Sequence, residues 1–161
     1  MKCDAKKFAQ MYEEIYKDLY RFALCRMRNV QDAEDAVSES VLAAYENIRQ
    51  LQKEAAFKSW MFTILANTCR RRLKESGNRQ RQEDGEIKEL AEHSAKTPDY
   101  GMALDVKKAF LVLSPEEQEI VALSVFGGYS SREIGSALNL NPNTVRSKRS
   151  RALEKMEEIL E

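Results

Sequence analysis

The chain has 161 residues, 43% hydrophobic and 32% charged, and its 26 Lys+Arg balance its 26 Asp+Glu. This suits a soluble, helix-rich protein of one domain or two small ones, and no apolar run approaches the ~18–20 residues that span a bilayer. The start, MKCDAKKFAQMYEE, has no apolar core of signal-peptide type, so no membrane insertion and a cytoplasmic location are expected.

Proline is absent before Pro98, and residues 5–75 read as helix almost throughout. Phe8, Met11, Tyr12, Ile15, Leu19, Phe22 and Ala23 recur at spacings of three and four, which is one face of an amphipathic helix. A turn over Asn29–Asp32 follows, with Asp32 positioned to cap a second helix, DAEDAVSESVLAAYENI. Its expected buried face holds Ala33, Ala36, Val37, Val41 or Ser40, Ala44, Tyr45 and Ile48. A third helix is expected from about Ala55 to Glu75; its first half is nearly all apolar and its second half basic.

Residues 76–98 hold Gly77, Gly85 and many charges, close on Thr-Pro and are poor in large apolar side chains, which predicts a flexible linker, with at most a short helix near 86–91. Four helices fit the remainder. The first covers roughly 99–112, with Met102, Val106, Ala109, Phe110 and Val112 apolar. Ser114-Pro115-Glu116-Glu117 opens the second with Ser as cap, Pro at the first position and Glu three after the cap, and Gly127-Gly128 closes it. Ser130-Ser131-Arg132-Glu133 is another capping box, opening a short helix through Ile134, Ala137 and Leu138. Asn141-Pro142 caps a long last helix whose apolar face is Val145, Ala152, Leu153, Met156 and Leu160. The expected fold is all-α: two small helical domains, residues 1–76 and 99–161, joined by a flexible linker over 77–98.

Catalysis has little to work with. Cys3, Cys25 and Cys69 show no C-x-x-C spacing, and the single histidine, His93, sits in a polar stretch. A disulfide framework, a zinc site and a His-based metal cluster are not expected. There is no Gly-rich phosphate loop and no G-x-S-x-G elbow. Neither an enzyme nor a bound cofactor is expected, and Cys25 and Cys69 read as buried structural thiols.

Overall neutrality hides segregation. Residues 66–81 carry Arg70, Arg71, Arg72, Lys74, Arg79 and Arg81 against the lone acid Glu75. Residues 142–155 carry Arg146, Lys148, Arg149, Arg151 and Lys155 against Glu154. Between them lies an acidic stretch. Local clusters of this kind are the electrostatic footprint of polyanion binding.

The last two helices, in YSSREIGSALNLNPNTVRSKRSRAL, have the spacing of a helix-turn-helix, with Ile134, Leu138, Leu140 and Val145 knitting the pair. Asn143, Arg146, Ser147, Ser150 and Arg151 would lie on the opposite face, where short polar and Arg side chains suit major-groove base edges. A solvated basic face is the plainer reading of such a stripe alone. In DAEDAVSES, acids near a helix N-terminus are favoured by its dipole, or they form a docking face for a basic partner. In FKSWMFTILANTCRRRLKES, Phe57 and Trp60 read first as core, yet aromatic plus Arg at a surface is also how unstacked bases are gripped.

These segments together resemble the sigma-70 family of RNA polymerase sigma factors, in its extracytoplasmic-function (ECF) type, which keeps only regions 2 and 4. DAEDAVSESVLAAYENI is similar to the family's D-A-E-D-hydrophobic-x-x-E signature, FKSWMFTILAN to its F-x-x-W-L-x-x-I-A-x-N segment, and LSPEEQEIVALSVFGGYSSREIGSALNLNPNTVRSKRSRAL to its region 4. The resemblance implies a promoter-specificity subunit. Asp32, Glu34, Asp35 and Glu39 would engage the β′ clamp helices of core RNA polymerase, with region 4 on the β flap. Trp60, Asn67, Arg70, Arg71 and Lys74 would meet the −10 element. Asn143, Thr144, Arg146, Ser147, Lys148 and Arg151 would meet the −35 element, and an anti-sigma factor is an implied partner. Met61, Leu65 and Arg149 depart from the family pattern. The competing readings are a stand-alone helix-turn-helix regulator, which would leave the acidic patch idle, and an enzyme acting on nucleic acid.

Overall fold

The computed structural model of the chain describes residues 4–76 and 104–160. Cys3, His93, the acidic segment, the short helix expected near 86–91 and the expected linker over 77–98 lie outside those residues. Among the described residues every regular element is a helix: α1 (Ala5–Arg26), α2 (Val30–Glu46), α3 (Phe57–Glu75), α4 (Leu104–Leu111), α5 (Pro115–Val125), α6 (Ser131–Leu138) and α7 (Pro142–Leu160), with 3₁₀ turns at Ile48–Gln50 and Glu54–Ala56.

The first unit is a three-helix bundle. Its apolar stripe on α1 runs through Phe8, Met11, Ile15, Leu19, Phe22 and Ala23 and is buried as expected. Helix α2 begins two residues before Asp32. Asn29 is the cap: its side-chain oxygen accepts from the Asp32 backbone N–H at 2.8 Å. Asn is as good a cap as Asp, and starting there puts Val30 in the core, where it is 2% exposed. On α2 the buried positions are Ala33, Ala36, Val37, Ser40 and Ala44. Tyr45 lies outside that face, 45% exposed, with its ring edge-on to Phe8 at 5.3 Å. Ser40 is tolerated in the core because its hydroxyl donates back to the Ala36 carbonyl at 2.7 Å. Met61 and Leu65, the two departures in α3, are both fully buried.

The second unit packs α4, α5 and α6 around α7. Both expected capping boxes form, at Ser114–Glu117 and Ser130–Glu133. Helix α5 stops at Val125, ahead of the glycine pair, and Gly128 takes the left-handed turn with φ 70°. In α4, Val112 falls beyond the helix and is exposed, while Ala109 and Phe110 are buried. The apolar face of α7 is narrower than its sequence suggests. Val145, Ala152 and Met156 are buried; Leu153 and Leu160 are exposed. On α6, Ile134 is fully buried, Leu138 half-buried and Ala137 exposed.

The α6–α7 turn depends on two residues. Asn139 ends α6 in the left-handed conformation at φ 58°, which Asn adopts more readily than most side chains. Gly135 faces the returning chain so closely that a Cβ there would lie 2.5 Å from the Leu140 carbonyl oxygen. Alanine is ordinarily the better helix residue by about 1 kcal/mol. Here the clash is with backbone, so Gly135→Ala is expected to destabilise the chain by ~1–3 kcal/mol. Urea unfolding followed by circular dichroism measures this; an increase in stability would contradict the geometry.

Helix α1 packs against α4 and α5 as well as against α2 and α3, and the buried apolar side chains of both units form one continuous core. The two units therefore sit against each other in this structure.

Candidate functional site

Four features of the surface carry the chemistry. The first is α2. Asp32, Glu34, Asp35 and Glu39 are all half-buried. Asp32 accepts from the Asn29 side-chain amide at 3.2 Å, and Asp35 from the Gln31 amide at 2.9 Å. Glu39 is turned the other way, onto α3: it receives Arg72 at 2.8 Å and also pairs with Arg71. The acids therefore do not all have the same surroundings. Asp35 points outward with Leu42 and Tyr45, about two and three turns further along, and Leu42 is 65% exposed. That acid-and-apolar stripe is open to a partner, and its apolar members lie outside the acidic signature.

The second is the basic half of α3. Asn67, Arg70, Arg71 and Lys74 are exposed, Trp60 half-buried. Trp60 packs beside Phe57 at a ring distance of 6.2 Å. Asn67 lies inside the helix and accepts from Arg70 Nη1 at 2.9 Å. Arg70 Nε in turn donates to Glu119 of α5 at 2.8 Å. Lys74 is exposed, and Arg71 also reaches Glu75 at 3.2 Å. Arg72, half-buried between the helices, holds α2 to α3 through Glu39.

The third is α7. Its N-terminus is capped by Asn141, which accepts from the Asn143 N–H at 2.8 Å with Pro142 between them. Asn143, Arg146, Ser147 and Ser150 lie opposite the buried Val145–Ala152–Met156 stripe and are exposed; Arg146 is paired with Asn143. Thr144 and Arg151 flank that face, and Arg151 Nε donates to the Ser147 carbonyl at 3.4 Å. Lys148 and Arg149 are on the other side of the helix. Lys148 pairs with Glu116 of α5, and Arg149 reaches the Ser124 hydroxyl at 3.5 Å. Lys155 is tied to Glu117 at 2.9 Å. The cations of residues 146–151 thus divide: Arg146 and Arg151 face outward, while Lys148 and Arg149 hold α7 against α5.

The fourth feature is the seam between the units, which sequence reasoning missed. Arg26, 6% exposed, donates to Gln118 at 2.8 Å, and Gln118 donates to the Phe110 carbonyl at 2.9 Å. Burial holds the Arg26 guanidinium below its ordinary pKa and the nearby Glu119 carboxylate opposes that shift. Tyr129 donates to the Ser59 carbonyl at 2.6 Å and lies 2.8 Å from the Thr63 hydroxyl. Its burial raises the phenol pKa, so it stays a donor at neutral pH. A signal existed for Arg26 alone: it continues the Leu19–Phe22 stripe, where a cation must find a buried partner. Nothing in the sequence identifies that partner.

The two described cysteines, Cys25 and Cys69, are buried. Burial pushes the Cys69 thiol up to about 12 and the Cys25 thiol further. The thiolate is the reactive form, so Cys69 carries roughly a thousandth of an ordinary thiol's thiolate at neutral pH. Neither thiol is expected to take up a maleimide in the native chain, and both are expected to do so in denaturant. Peptide mass spectrometry reads this; rapid native labelling would show the thiols are reachable. No group of three or more His, Cys, Asp or Glu is placed to hold a metal, and no helix is long and apolar enough to cross a membrane, among the described residues.

Comparison with known proteins adds the following. The family model for Sigma-70 region 2 matches residues 11–79, and that for Sigma-70, region 4 matches residues 103–156. The chain is 26% identical over 157 residues to the ECF RNA polymerase sigma factor SigM of Mycobacterium tuberculosis, covering 98% of this chain and 79% of that one. It is 28% identical over 140 residues to RNA polymerase sigma factor SigV of Bacillus subtilis, covering 87% and 82%. Among solved structures it is similar to the sigma factor RpoE in complex with the anti-sigma factor NepR from Bartonella quintana. There the TM-score is 0.74 at 23% identity, over 97% of this chain and 98% of that one. It is also similar to CnrH in complex with the cytosolic domain of CnrY, with a TM-score of 0.65 at 21% identity, over 98% and 89%.

Proposed function

We propose a division of labour for this chain, which belongs to the sigma-70 family of RNA polymerase sigma factors and to its ECF type. As a sigma factor it binds core RNA polymerase and directs transcription initiation at specific promoters. Residues 1–76 form region 2, 77–98 the linker and 99–161 region 4. The α2 stripe of Asp35, Leu42 and Tyr45, with Asp32 and Glu34 beside it, docks on the clamp helices of the β′ subunit; region 4 contacts the β flap. An anionic and apolar face fits a partner that offers cations around an apolar centre.

Helix α3 meets the −10 element through Trp60, Asn67, Arg70, Arg71 and Lys74. Helix α7 lies in the major groove at −35. There Asn143, Thr144, Arg146, Ser147 and Arg151 face the DNA, and Lys148 joins them only by leaving Glu116. Glu39 holds Arg71 and Arg72 in place rather than touching polymerase. The protein acts in the cytoplasm as a transcription factor, not an enzyme, and an anti-sigma factor is its partner; the similar structure of RpoE with the anti-sigma factor NepR supports this. The observation that carries this reading is the outward Asn143–Arg146–Ser147 face of a capped helix, opposite a buried stripe. Geometry and charge together support reading α7 as a recognition helix.

The test is run-off transcription by bacterial core RNA polymerase over a pool of genomic promoter fragments, with and without the protein. Discrete transcripts that require it are the expected result. Tight duplex binding by the chain alone, with no such transcripts, would favour a stand-alone regulator instead.

A further inference from the structure

We infer that Glu116 and Glu117, on the first turn of α5, are counter-ions built into the chain for α7. They occupy Lys148 and Lys155 where DNA phosphates otherwise would, and so limit the part of DNA binding that is independent of sequence. The inference rests on the reading of α7 as a DNA-contacting helix given above.

Thr144, Lys148, Arg151 and Lys155 follow one another at intervals of four and three, so they line one edge of α7. That edge runs between the buried Val145–Ala152–Met156 stripe and the outward Asn143–Arg146–Ser147 face. A helix in the major groove turns its outward face to the base edges and its flanks to the phosphates, and the phosphates carry no sequence information. Lys148 and Lys155 are flank cations by this geometry. In the chain by itself both are taken. Lys148 pairs with Glu116, and Lys155 Nζ donates to both carboxylate oxygens of Glu117, at 3.0 and 2.9 Å.

The start of α5 fixes the acids for this task. Glu117 closes the capping box, accepting from the Ser114 N–H at 2.9 Å. That bond holds its carboxyl below the ordinary carboxylate pKa against the opposing effect of burial, and Lys155 adds to the lowering, so the group is ionised at neutral pH. Its side chain is 13% exposed and that of Lys155 52%: the acid is anchored and the lysine reaches it from solvent. Glu116 lies in the same first turn, where the helix dipole favours an acid. Ion pairs as exposed as these are weak in water, so a duplex phosphate competes with each carboxylate on similar terms. Each lysine that a phosphate takes adds one sequence-independent contact and one increment of salt dependence.

The experiment uses the full chain as wild type, Glu116→Gln, Lys148→Ala and the double variant of the two. Fluorescence anisotropy reads binding to a labelled DNA duplex of randomised sequence between 50 and 200 mM salt. Glutamine keeps the shape of the side chain and removes its charge. Glu116→Gln is expected to bind more tightly than the wild type. Its advantage is expected to shrink about 3.5-fold from 50 to 200 mM salt, as one more phosphate contact does at a slope of about 0.9. The same substitution made in the Lys148→Ala chain is expected to bring no gain. Glu117→Gln repeats the test on Lys155, with the cap retained because Gln also closes a capping box, and the same increase in salt dependence is expected.

Unchanged affinity and salt dependence in both glutamine variants would overturn the inference. So would an equal gain from Glu116→Gln with and without Lys148, since the acid would then act on DNA by general repulsion. Arg146→Ala, measured alongside, separates this inference from the reading beneath it. If Arg146→Ala weakens binding while the glutamine variants match the wild type, the counter-ion role alone fails. If Arg146→Ala also leaves binding unchanged, α7 is not the DNA-contacting helix and both fail.

Discussion

Asp35→Lys is expected to reduce promoter-specific transcription by core RNA polymerase by at least ~30-fold, because reversing a charge across a complementary interface costs several kcal/mol. Fold is not expected to suffer. The side chain's hydrogen bond is to Gln31, one turn earlier on the same exposed helix surface, and such pairs are worth only about 0.2–0.5 kcal/mol. The informative comparison is Glu39→Lys. That change sets a third cation against Arg71 and Arg72, so it is expected to lower the melting temperature as well as transcription. Thermal unfolding and pull-down of core polymerase, run on both variants, separate the two causes. If Asp35→Lys binds polymerase normally, the α2 stripe is not the docking face.

The second large effect is on stability. Phe62 is completely buried in α3 and meets Phe22 of α1 edge-on at 5.8 Å. Phe62→Ala removes that ring contact and leaves a cavity in the core, at a cost of about 3–5 kcal/mol. Against a total of roughly 5–15 kcal/mol for a natural domain, a large share of the variant would unfold at physiological temperature. Urea denaturation followed by circular dichroism measures the shift. A loss below about 1 kcal/mol would mean that the α1–α3 contact is not part of a rigid core.

Much of the fold was legible because helix signals are local. The α1 stripe follows from spacing alone, and Ser114-Pro115-Glu116-Glu117 and Ser130–Glu133 close the capping boxes their sequences announce. Asn29, not Asp32, caps α2: the two have the same capping chemistry, and only the burial of Val30 distinguishes them. Tyr45, Leu153 and Leu160 were assigned to the core because apolar spacing marks the width of a stripe no better than one residue to either side. Which edge is covered depends on the neighbouring helix.

The candidate surfaces divide in the same way. Composition and spacing alone established an all-helical chain without membrane-spanning or metal-site patterns, two separated basic segments, an acidic signature on a helix start and a helix-turn-helix near the end. Each of these is a property of residues within a few turns of one another. The tertiary structure decided which charges are free. Glu39 belongs to Arg71 and Arg72, Lys148 to Glu116, Lys155 to Glu117, and Arg70 to Glu119 of the other unit. A charge's partner can lie on any helix that packs nearby, and packing places residues 26 and 118, or 63 and 129, within hydrogen-bond reach with no pattern in the sequence to connect them.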